Sequence, residues 1–167
     1  MATTNRDLLI AWLNDAHAME QGLMKVLDNH IKDAKGHPQM QAKLQEHHDL
    51  AQSQAERVKS CVERLGGSTS SLKSGMANVM GMMQGISTGA AQDELVKNSL
   101  MDYAAEHFEI ACYRALVVAA QQVGDMETAR VCEEIMREEV QMAQWLEEHL
   151  PLVVRDTLQM AERQRAG

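Results

Sequence analysis

Apolar residues near the start of the chain, Leu9, Leu13, Ala16, Leu23 and Leu27, are spaced by threes and fours, with one full heptad between Ala16 and Leu23. That is the period of a packed helix seam, and it predicts a first helix over about residues 4–35. Gly36 stands where such a helix stops and Pro38 where the next begins, since glycine suits a helix C-terminus and proline is tolerated in a first turn. The second helix reads from 38 to about 65, with Leu44, Ala51, Ala55, Val58, Val62 and Leu65 on one face, and Gly66-Gly67 closes it. Two long helices joined by so short a turn must lie antiparallel.

The periodicity lapses over residues 66–91, where serines and Gly75, Gly81, Gly85 and Gly89 interrupt a stretch carrying Met76, Met80, Met82 and Met83. This predicts a connector with a short helix around Leu72 to Met83. Its methionines serve as core filler under a crossover or, alternatively, as a partner-binding surface. A third helix, about 92–123, is apolar around most of its circumference, which predicts burial on several sides. Gly124-Asp125 makes a turn, and a fourth helix runs over about 125–150 until Pro151 imposes a break. A short tail helix from Leu152 to about Glu162 is then expected to pack on the outside, within a tail of residues 151–167. The whole chain, 1–167, is predicted to be one all-α domain of two antiparallel hairpins. A single long crossover between helices 2 and 3 is the topology of a ferritin-like four-helix bundle.

Composition sharpens this picture. Aromatic residues are only 3% of the chain, so Leu, Val, Ile, Ala and 13 Met must fill the core, and sheets favour the residue types that are scarce here. The net charge of −8 and the absence of any Lys/Arg run leave no basic footprint for nucleic acid or an anionic membrane. No stretch of about 18 apolar residues exists and the N-terminus lacks an apolar leader, so a soluble cytoplasmic protein is expected. Cys61, Cys112 and Cys132 are odd in number, far apart and form no CxxC pair. They read as buried free thiols, not as a disulfide framework or thiolate zinc site.

The candidate chemistry lies in acids that fall on apolar faces. At about 100° per residue, Glu20 sits mid-seam between Ala16 and Leu23, and Glu139 lies between Ile135 and Met142. Glu106 and Glu109 share a face with Tyr113, Leu116 and Val117. His47 lies on the apolar face of helix 2, His48 at its edge, and Asp49 projects away. An unpaired carboxylate in an apolar interior costs several kcal/mol or more, so it is neutralised by a proton, a cation or a metal. No Lys or Arg shares these seams, Arg57 and Arg114 being the nearest, each on a flanking face. Taken singly, each acid suits a hydrogen-bonded seam edge and His47 a satisfied core histidine. Their convergence from several helices points to a divalent metal cage.

The stretches Asn14-Asp15-Ala16-His17-Ala18-Met19-Glu20, Tyr103-Ala104-Ala105-Glu106-His107-Phe108-Glu109-Ile110-Ala111 and Ile135-Met136-Arg137-Glu138-Glu139 resemble the YciF-type ferritin-like family, small bacterial stress-associated proteins related in fold to rubrerythrin. The resemblance covers nearly the whole chain and implies a homodimer of helical bundles with a rubrerythrin-like di-metal centre. By position it implies Glu20, Glu106, Glu109 and Glu139 as metal carboxylates. On helix 2 the family's usual His-x-Glu-Glu run is replaced by His47-His48-Asp49-Leu50, which implies His47 and the shortened Asp49 as the remaining candidates. Glu139 is followed three residues on by Met142, not by the His that di-iron proteins commonly place there. No rubredoxin-like Cys pairs follow. Such an oxygen-rich set favours Fe, Mn or Mg over Zn or Cu. Two readings result: an Fe- or Mn-binding protein that reduces peroxide or oxidises Fe(II) under stress, or a non-catalytic dimeric helical protein whose metal site is degenerate or empty.

Overall fold

A computed structural model describes residues 3–69 and 93–166. Among the described residues four helices carry the fold: α1 (Asn5–Asp33), α2 (Pro38–Arg64), α3 (Glu94–Gln122) and α4 (Met126–Ala166). The predicted connector helix and its methionines lie outside the described residues. α1 opens on a capping box, in which Asp7 N–H donates to Thr4 Oγ1 at 3.1 Å and Thr4 N–H to Asp7 Oδ2 at 2.9 Å. The two short turns both need a left-handed residue, supplied by Gly36 at φ 114° and Gly124 at φ 79°.

α1 pairs with α2 and α3 with α4, and the two hairpins pack α1 on α3 and α2 on α4. An all-α four-helix bundle of ferritin-like topology results, with the long connection between α2 and α3. One clamp between the hairpins is at the surface. Arg64 at the end of α2 donates to Asp125 Oδ1 and Oδ2 at 3.0 and 3.1 Å and to Thr128 Oγ1 at 2.7 Å.

Among the described residues the apolar core comes in two parts. One gathers Leu9, Leu13, Val58, Val62, Leu116 and Ile135, and the other Leu27, Met40, Leu44, Leu95, Met142 and Leu146. Each fully buried aliphatic side chain of this kind contributes about 1.5–3 kcal/mol. Every helix contributes to both clusters, and His47 and Glu139 fall where α2 and α4 pass from one to the other.

Two expectations are corrected. Pro151 does not end the fourth helix, since α4 continues through it to Ala166. Proline removes one N–H bond and crowds the carbonyl four residues back. Here, however, Pro151 is exposed, so water can serve that carbonyl, while Val153 just beyond is buried against the second cluster and holds the helix down. Nor is α3 buried on several sides. Its inner face is buried, but Leu100 and Val118 on its outer face are 50% and 60% exposed.

Candidate metal centre

Four side chains from three helices meet between the apolar clusters. His47 of α2, Glu106 and Glu109 of α3 and Glu139 of α4 each offer a ligand atom within 4.8 Å of the others, and all four are buried. The helical period explains the convergence. Glu106 and Glu109 are three apart and so share one face, while His47 and Glu139 each occupy a seam position of their own helix. His47 Nε2 lies 3.0 Å from Glu106 and 3.8 Å from Glu139.

Glu20 of α1, with no exposure at all, stands beside this set and accepts a hydrogen bond from the Tyr113 hydroxyl. Gln54 donates its amide to Glu139 and, at 3.0 Å, to Glu138. Arg57, the nearest arginine, is taken up by Glu138 on the flank. Among the described residues, His47 is the sole ion-pair partner of the clustered glutamates Glu20, Glu106, Glu109 and Glu139. One oxygen each of Glu20, Glu106 and Glu139 is buried with no hydrogen-bond partner, a situation that costs about 1–3 kcal/mol for a neutral acceptor and more for a charged one.

The electrostatics follow from burial and crowding. Loss of solvent, then the Glu139 charge, pushes the Glu20 carboxyl up to about 8, against the pull of the Tyr113 bond. Burial raises Glu106 to about 8, although its hydrogen bond with Glu139 acts in the opposite sense. Burial, the Glu106 charge and that same bond lift Glu139 to about 9. Glu109 is raised well above the ordinary carboxylate range by burial and then by Glu20, Glu139 and Glu106. Without a cation these groups are therefore biased toward their protonated forms. A cage of three glutamates and one imidazole, with a fourth glutamate beside it and unpartnered oxygens, suits a hard divalent ion.

Asp49 is elsewhere. Its side chain is 71% exposed, accepts from Gln45 at 3.0 Å and points away from the cluster. The physical reason is the helical wheel, which puts residue 49 about 200° from residue 47. His48 is half-buried and turned toward Asp28 and Asp49 at 3.5 Å. Met142 joins the second apolar cluster with Leu27 and Leu146. Gln54 was missed by sequence reasoning, as was the role of the Tyr113 hydroxyl. Their only sequence signal is a polar atom on a buried stripe, seven residues after His47 for Gln54 and four after Glu109 for Tyr113.

A family model described as a domain of unknown function, DUF892, matches residues 4–159. The chain belongs to the DUF892 family. This DUF892 protein is 35% identical to a protein of known structure from Xanthomonas campestris pv. campestris, over 95% of this chain and 98% of that one, with a TM-score of 0.81. The E. coli stress protein YciF is 22% identical over 92% of this chain and 99% of its own, with a TM-score of 0.79. The fold is shared also with a bacterioferritin from Desulfovibrio desulfuricans, whose structure contains a diiron site. That protein is 22% identical over 92% of this chain and 86% of its own, with a TM-score of 0.75. The ferritin-like fold of this DUF892 protein is thus established, and its buried His/Glu cluster is a group that could hold a metal ion. Among the described residues no helix is long and apolar enough to cross a membrane.

Proposed function

We propose that this DUF892 protein holds Fe or Mn in its buried cluster and uses it to reduce peroxide or oxidise Fe(II) under stress. The observation that carries this reading is the meeting of His47, Glu106, Glu109 and Glu139 within 4.8 Å, with carboxylate oxygens beside them that nothing among the described residues satisfies. Those four residues would hold the ion, and Glu20 would extend the set toward a second one. Iron or manganese bound there supplies one-electron steps that side chains alone do not perform. The protein's share is to orient and to exclude water. Tyr113 and Gln54 fix the rotamers of Glu20 and Glu139 through hydrogen bonds, and Leu23, Leu27 and Met101 wall the site. His47, in contact with two of the carboxylates, is placed to ligate or to carry a proton.

Metal analysis after incubation with Fe(II) or Mn(II), with an anomalous-scattering crystal at the iron edge, tests the reading. Fewer than about 0.2 ions per chain and no thermal shift would defeat it. A second reading, a helical stress protein with an emptied site, is favoured by Gln54, a neutral amide spent on Glu139, and by Met142, turned into the apolar cluster. It gains if Glu139→Gln raises the melting temperature without changing metal content. We further propose that the chain works as a homodimer in the cytoplasm, without nucleic acid or membrane. The exposed Leu100 and Val118 support pairing, and sedimentation equilibrium reads the stoichiometry.

A further inference from the structure

The cluster does not account for a second buried polar pair. His30 Nδ1 of α1 lies 2.6 Å from Asp102 Oδ1 of α3, and both side chains are buried. Asp102 is one helical turn from Glu106 and on the same face. A cavity of about 10 Å³, lined by Asp102, Glu106, Glu109 and His47, separates the pair from the carboxylates. That is about the room of a single water molecule among polar partners. On its other side His30 occupies the last turn of α1, where exposed Asp33 accepts from Asn98 at 3.0 Å. The charged groups facing His30 are Asp102 and Glu94 from α3 and Asp33 from its own helix. Those facing Asp102 are His30 from α1, Glu106 and Glu109 from α3 and, across the cavity, His47 from α2. Exposure rises stepwise along this line, from 0% at Glu139 and 2% at Glu106 to 5% at Asp102 and 6% at His30.

We propose that Asp102 and His30 form a proton-carrying arm between the buried carboxylates and solvent at the end of α1, an inference that rests on the metal-centre reading. Metal ligands must be deprotonated to bind, so protons leave as an ion enters, and a site sealed by apolar walls needs a path for them. A water entering the cavity takes the proton released by a carboxyl and gives it to Asp102. Asp102 takes up that proton while the imidazolium of His30, whose Nδ1–H is held along the 2.6 Å contact, releases its Nε2 proton to water beside Asp33. One proton enters and one leaves, and no electron moves.

Stopped-flow mixing of metal-free protein with Mn(II) alone, in weak buffer with a pH-indicating dye, reads the arm. Manganese bound is followed separately by electron paramagnetic resonance. Asp102→Asn and His30→Gln are expected to bind the same manganese at equilibrium and release the same total protons, but about tenfold more slowly or worse. The double variant is expected to be no slower than either, Asp102→Glu to recover most of the rate, and added imidazole to speed His30→Gln. A purely structural pair would move the melting temperature without slowing proton release. Release at the wild-type rate in folded variants overturns the arm and leaves the metal centre standing. Should Asp102→Asn not fold, His30→Gln and Asp102→Glu decide the matter. If the wild type binds no manganese, the metal-centre reading falls and the arm falls with it.

Discussion

Two sets of buried polar side chains lie close together in this bundle, and they are built on opposite terms. His30 and Asp102 carry complementary groups and meet at 2.6 Å. Burial pulls the His30 ring down, but the bond to Asp102 and its charge outweigh this and leave it raised. The pair satisfies itself. The glutamates at the centre are alike in sign, share one imidazole, and leave oxygens on Glu20, Glu106 and Glu139 without partners. A protein can bury charge by matching it internally or by leaving it to be matched from outside, and these four helices do both about one turn apart.

The most damaging way to break the comparison is to remove half of the self-satisfied pair. His30→Ala strands a buried Asp102, and urea unfolding is expected to show a loss of about 3–5 kcal/mol. The central cluster should respond instead to an added ion. Mn(II) at about a thousand times its dissociation constant stabilises by about 4 kcal/mol, so the melting temperature of the wild type should rise. Glu106→Gln or Glu139→Gln should abolish that rise.

Acidity separates the two sets again. Glu20, Glu106 and Glu139 have folded values near 8, 8 and 9, against about 4.3 in an unfolded chain. The native metal-free protein therefore binds more protons than the unfolded one between these limits. Their contribution is fully present below about pH 4.3 and is lost as pH rises through 8 to 9. His30, also raised, contributes in the same direction, fully below about pH 6.5 and less as pH passes its folded value. Thermal melts of metal-free protein should thus fall steadily from pH 5 to 9. Manganese should flatten that slope, and His30→Gln should remove only its upper part. The smallest effect belongs to Asp49→Asn, which should leave manganese binding unchanged and stability within about 0.5 kcal/mol.

Much of this was legible in the sequence because helices are periodic. Leu9, Leu13, Leu44, Val58 and Val62 mark the seams and are buried as expected. The same wheel brought Glu20, His47, Glu106, Glu109 and Glu139 inward and put Asp49 outward, even though the family resemblance suggested Asp49 as a ligand. What periodicity could not supply was pairing across helices. Nothing in the spacing of His30 and Asp102, 72 residues apart, announces their contact. Gln54 and Tyr113 likewise look like ordinary seam residues until Glu139 and Glu20 are seen opposite them. Pro151 misled for a different reason. A local rule about one missing N–H bond was overridden by the burial of Val153 two residues later.

His47 comes from the first hairpin, whereas Glu106, Glu109 and Glu139 come from the second. An ion held by all four would be a rivet through both halves, present only when the halves are seated in register. Its capture would report assembly of the whole bundle, and chelation would loosen the seam between the halves before it unwound any single helix.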